Sequence, residues 1–127
     1  MRTGTIISLI LLALVVAGGI LNAQATDAVS QRYVAAAEEL RVLTAEEMWE
    51  RAAETASAYR ETWEVTEHWL HLLISHADTD SVALALGRVQ AGIDAQDQSL
   101  CQEACRDLRE YAEHIHHRDA FTLGNIL

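Results

Sequence analysis

The sequence predicts an all-α protein: an N-terminal transmembrane helix followed by an antiparallel bundle of about four helices, with one long central helix. Three observations carry this reading. From Ala45 to Ala77, apolar or small residues fall at Ala45, Trp49, Ala52, Ala56, Tyr59, Trp63, Thr66, Leu70, Leu73 and Ala77. The steps alternate between four and three, which is the seam of a helix with one buried face. Thr5 to Leu21 runs for seventeen residues without a charge, at the lower limit for crossing a bilayer. The 127 residues contain no Pro and only 6 Gly, yet are 50% hydrophobic. That is one small helical domain with an apolar excess at its front.

The chain divides into residues 1–25, a transmembrane anchor or signal segment, and residues 26–127, an acidic helical bundle. Ala23-Gln24-Ala25 puts small residues where a signal peptidase reads them, so cleavage after Ala25 and secretion is one outcome. The anchor is preferred, because the apolar run is long and rich in Leu, Ile and Val, and no Pro or Gly-rich break separates it from the next helix. Arg2 precedes the segment and the next cation is Arg32, which favours a cytoplasmic N-terminus and a C-terminal domain outside a bacterial cell membrane. Residues 5–21 then contact membrane lipid.

All nine basic residues are Arg; without Arg2, eight stand against nineteen acids, a formal charge of −11 for the bundle. Such a domain is no general nucleic-acid binder, and anionic lipid repels it beyond its tether.

Asp27 can cap a first bundle helix with Val29, Tyr33, Ala36 or Ala37, Leu40 and Leu43 on its apolar face, unless that helix continues the anchor. Thr44-Ala-Glu-Glu47 has the form of a capping box and sets the start of the long helix at Ala45. At about 1.5 Å per residue that helix is roughly 50 Å long and needs neighbours along its seam. The core seam is Trp49, Tyr59, Trp63, Leu70 and Leu73. Val65, Trp69 and Leu72 make its far end apolar on a second side, so the densest core is expected there. After a turn at His76 to Ser81, capped by Asp78, Thr79 or Asp80, a third helix presents Val82, Leu86, Val89 and Ile93. A polar break at Asp94 to Asp97 leads to a fourth with Cys101, Ala104, Leu108, Tyr111 and Ile115. Phe121 to Leu127 is apolar again and is expected to pack back on the bundle. The equal period of a helical solenoid is missing, which leaves an up-and-down bundle on a stalk.

Trp63, the Ser75-His76 turn followed by acids, Leu86-Gly-Arg-Val89, Glu113-His114-Ile115 and the terminal Leu123-Gly-Asn-Ile-Leu127 together carry a resemblance. Over nearly its whole length the chain resembles a family of small bacterial single-pass proteins of unknown function, typical of endospore formers. Members share an N-terminal anchor, an acidic helical domain and a C-terminus close to Asn-Ile-Leu. The resemblance implies an anchored extracytoplasmic domain with no activity to carry over, from a family associated with genes for multi-pass membrane proteins. This chain departs from the family in its Arg for Lys, its three Trp and its two Cys, which gain no support from the family pattern.

Cys101 and Cys105 stand four apart on a helix, as two small core residues, a disulfide or metal ligands. Side chains at that spacing meet disulfide geometry poorly. The six His form two groups, His68, His71 and His76, and His114, His116 and His117, which reach one end of the bundle if the second and fourth helices run parallel. Glu64 with His68, Glu67 with His71, Glu110 with His114 and Glu113 with His117 each share a helix face at a spacing compatible with one metal ion. Di-iron bundles aim their carboxylates inward, whereas these flank the seam. No cofactor is therefore expected, and His68, His71, His114 and His117 are the metal candidates. Ser75 beside His76 is no dyad, no Gly-x-Ser-x-Gly is present, and Gly87, Gly92 and Gly124 make no phosphate loop. The sequence thus predicts no enzyme but a structural or protein-interaction accessory to a membrane or envelope protein. The alternative is a metal- or pH-responsive sensor using the clustered His and acidic residues, the second alternative a hydrolytic enzyme, for which the seam leaves no room for a concave pocket, with a homodimer through the long helix also open.

Overall fold

A computed structural model describes residues 2–126, with side chains as far as Ile115. It contains four helices: α1 (Arg2–Ala45), α2 (Trp49–Leu70), α3 (His76–Asp94) and α4 (Gln98–Ile126). α1 packs on α2 and α4, and α3 packs on the same two, so the four close into an antiparallel up-and-down bundle.

α1 is one helix of 44 residues. Nothing interrupts it at Asp27, whose carboxylate accepts a bond from Gln31 Nε2 one turn on instead of capping a new start. Residues 2–21 form an arm about 30 Å long, enough to match a bilayer core. The arm leaves Ile6, Leu9, Leu12, Val15 and Leu21 exposed. It is the one helix among the described residues long and apolar enough to cross a membrane. Burial begins at Thr26 and continues through Val29, Tyr33, Ala36, Ala37, Leu40 and Leu43, the predicted face.

The core is assembled by size. Tyr33 and Trp63, both fully buried, meet edge to face with centroids 4.8 Å apart, and the Tyr33 hydroxyl donates to the carbonyl of Tyr59 at 3.3 Å. These rings separate α1 from α2. α1 and α4 also bury small residues, Ala36, Ala37, Ala104, Cys105 and Ala112, and Ser30 Oγ donates to the Ala112 carbonyl at 2.7 Å. α3 approaches α4 closely at Gly92, where a Cβ would stand 2.8 Å from Cys101 Sγ and 3.2 Å from its backbone nitrogen. Cys101 and Cys105 are two free, buried thiols in the places of small core residues. Arg88 of α3 holds Asp107 of α4 at 2.6 Å.

The seam is real from Trp49 to Leu70, but the helix is shorter than its spacing implies. Ala52, Ala56, Trp63, Thr66 and Leu70 are buried, Trp49 and Tyr59 half-buried, and Leu73 lies beyond the helix and is exposed. The capping box at Thr44 to Glu47 does not form. Thr44 Oγ1 donates back to the Leu40 carbonyl, and Glu47 takes φ 59° as α1 ends. The Met48 amide reaches the Leu43 carbonyl and the Glu47 amide that of Thr44, the paired bonds of a Schellman stop. The end of α3 repeats it, with Gln96 at φ 50° and bonds from Asp97 to Gly92 and from Gln96 to Ile93. Ser75, not Asp78, Thr79 or Asp80, caps α3 by accepting from the Asp78 amide. Residues 121–127, expected to fold back, lie outside the described side chains.

Candidate functional site

The two ends of the bundle differ, and the end nearer the exposed arm carries the chemistry. α1 and α2 are antiparallel with Tyr33 beside Trp63. Carrying that register on brings Leu72 level with about Gln24, roughly 5 Å from Leu21 at 1.5 Å per residue. The α2–α3 turn therefore lies at the base of the bundle, where the apolar arm leaves it.

The base is uncovered where the sequence led us to expect the densest core. Val65, Trp69 and Leu72 stand at steps of four and three on the outer side of α2 and its turn, exposed by 72%, 38% and 85%. Among the described residues no helix covers them, and α1 and α3 flank the opposite face, with Trp63, Thr66 and Leu70. An exposed stripe of Val, Trp and Leu marks a contact surface more often than an accident of composition.

Beside the stripe is a polar cluster. Glu67 and His71, one turn apart, place Oε1 and Nε2 3.3 Å from each other, and Nε2 is also 2.9 Å from Thr79 Oγ1. Asp80, near the start of α3, completes a group whose three ligand atoms lie within 4.8 Å of one another. The His76 ring packs on that of His71 with centroids 4.0 Å apart. Ser75 Oγ donates to Asp78 Oδ2 at 3.0 Å, tying the turn that presents the group.

Of the four histidines named from the sequence, only His71 enters this cluster. His68, one turn before His71, is exposed and stays outside it. His114 is exposed and shares a small groove of about 170 Å³ with Asp78, Ser81, Glu110 and Tyr111. The side chain of His117 lies outside the described residues. α2 and α4 do run in the same direction, so His68, His71 and His114 share the base, as the parallel arrangement required. In the sequence Asp80 reads only as a cap; its approach depends on the turn between α2 and α3, which spacing within one helix cannot reveal.

A shallow groove of about 460 Å³ between α1 and α4 includes Asp27, Ser30, Val34, Arg109 and Glu113, and a wider depression of about 700 Å³ lies at the other end of the bundle beside Glu47, Trp49 and Gln96. The deepest thiol, Cys105, has its pKa pushed up to about 12 by burial, and burial also raises that of Cys101. Neither is an activated nucleophile at neutral pH.

Residues 20–126 match the family model described as domain of unknown function (DUF4363). The chain belongs to the DUF4363 family. In this DUF4363 protein the match begins at the end of the apolar arm and runs on through α2, α3 and α4, and α1 is unbroken across its start. No curated protein and no solved structure matches it.

Proposed function

We propose that this DUF4363 protein is a membrane-anchored accessory subunit. Its α1 arm spans a bacterial cell membrane with the N-terminus cytoplasmic, and its bundle, outside the cytoplasm, binds a membrane-embedded protein partner. The observation that carries the reading is the uncovered stripe of Val65, Trp69 and Leu72, which runs along α2 towards the end of the apolar arm and finishes with Leu72 about 5 Å from the level of Leu21. Apolar surface at that height is suited to the flank of a multi-pass protein just above the bilayer, and Trp is a residue that favours such interfaces. An unbroken α1 supports the same reading, because a rigid helix holds the base at a fixed height above the span. Strong acidity on the rest of the bundle opposes adsorption to anionic lipid and keeps the apolar base as the contact.

The test places a photo-cross-linking residue at Leu72 or, as control, at Arg51 in the full chain in native membranes. The reading expects one membrane-embedded protein captured from position 72, lost when Val65 and Trp69 are made Ser, and not captured from position 51. Equal capture from both positions, or capture insensitive to Val65 and Trp69, would overturn it.

A further inference from the structure

We infer that Glu67, His71 and Asp80 form a binding site for one divalent transition-metal cation of the zinc class. Ligands about 2.0–2.1 Å from a tetrahedral Zn²⁺ stand roughly 3.3 Å apart. Glu67 Oε1 and His71 Nε2 are already at that edge, 3.3 Å. Asp80 is exposed, and the three ligand atoms lie within 4.8 Å of one another, so a rotation of its free-standing side chain closes the remaining gap without moving the backbone. One imidazole nitrogen with two carboxylates selects Zn²⁺, Co²⁺ or Ni²⁺ over Mg²⁺ or Ca²⁺, which take oxygen ligands.

The surroundings suit this use. Glu67 and His71 are fixed one turn apart at the end of α2, with side chains only 22% and 28% exposed. Thr79 and the His76 ring hold the imidazole from the other sides. Cation binding takes His71 through Nε2 with its proton on Nδ1, and the Thr79 hydroxyl within 2.9 Å yields its contact to the metal. Three protein ligands leave a fourth position for water or for a group from a partner. The bound cation ties the end of α2 to the start of α3 across the turn that carries Leu72, so metal occupancy stiffens the apolar base.

The experiment uses the full chain in a mild non-ionic detergent. Zn²⁺ is followed by thermal melting, and Co²⁺ by its visible ligand-field absorption. The expected result is a melting temperature that rises with Zn²⁺ and Co²⁺ bands that saturate at one equivalent. Asp80→Asn, an exposed change that leaves the metal-free melt unaltered, should weaken both by roughly ten-fold or more in apparent Kd, and His71→Ala more so. His68→Ala and His114→Ala should change neither. A melt indifferent to Zn²⁺, binding unaffected by Asp80→Asn, or binding lost instead when His114, His116 and His117 are replaced would overturn the assignment.

Discussion

The top and the base of this bundle are built to opposite ends. At the top every departing chain end is closed. Schellman bonds stop α1 and α3, and Gln98 and Gln102 of α4 donate to the Ala45 and Arg41 carbonyls, each at 3.1 Å, so that orphan acceptors of α1 are satisfied from another helix. The closure requires Glu47 and Gln96 to sit in a left-handed conformation that costs a side chain about 1–2 kcal/mol. At the base, Ser75 ties only the start of α3, and Val65, Trp69 and Leu72 face outward beside a His and two acids. Strain is accepted where it completes the fold, and apolar area is left open where it can meet something else.

Substitutions separate the two regions by size of effect. Trp63→Ala should cost about 3–5 kcal/mol by denaturant melting, because it empties the centre of the core against Tyr33, whereas Trp69→Ala should stay within about 0.5 kcal/mol. Gly92→Ala should cost about 1–3 kcal/mol, since its new methyl meets the sulfur and the backbone of Cys101. Adding Cys101→Ala should recover part of that loss, and strictly additive losses would show that the contact is not the cause.

Raising pH should destabilise the protein through weak acids whose neutral form the fold favours. Tyr59, bonded at 2.7 Å to Glu39, is raised from 10.0 to about 12, Tyr33 is raised by burial, and Cys105 is raised by burial from 9.0 to about 12. These groups stay neutral in the fold while the unfolded chain ionises. Their contribution is therefore intact below pH 9 and lost as pH climbs towards 12. Melts in reducing buffer across that window should fall steeply, and Tyr59→Phe should flatten the fall.

Relief of strain at the top comes next in size. Glu47→Gly and Gln96→Gly should each stabilise by about 1 kcal/mol, an unusual sign for glycine at a helix end, and destabilisation by both would contradict the left-handed stops. The smallest expected effect lies at the base, where Val65→Ser with Trp69→Ser should leave the melt within about 0.5 kcal/mol while abolishing the cross-link from position 72.

The same contrast explains what could be read from the residues alone. Within each helix, spacing identifies the buried face. Val82, Leu86, Val89 and Ile93 of α3 are all buried, as are Cys101, Ala104, Leu108 and Ile115 of α4. Ends are harder. The three–four rhythm persists through Leu73 and Ala77 although the helix stops at Leu70, because no Gly or Pro marks the turn. Thr44-Ala-Glu-Glu47 has the form of a start and serves as a stop, because Glu47 carries no sequence sign of its positive φ. The true cap, Ser75-His-Ala-Asp78, has a legible pattern that the longer seam overrode. In the candidate site the Glu67–His71 pair follows from helix periodicity, while Asp80 arrives through the path of a turn.

The most direct test of the open base is the depth of its tryptophan. The three Trp residues occupy the top, the core and the base, as Trp49, Trp63 and Trp69. Full-length protein with only Trp69 (Trp49→Phe, Trp63→Phe) or only Trp49 (Trp63→Phe, Trp69→Phe) is reconstituted in vesicles whose lipids carry bromine just below the headgroups. The account predicts strong quenching of Trp69 and almost none of Trp49. Equal quenching of the two, or quenching of Trp49 alone, would contradict a base seated at the membrane.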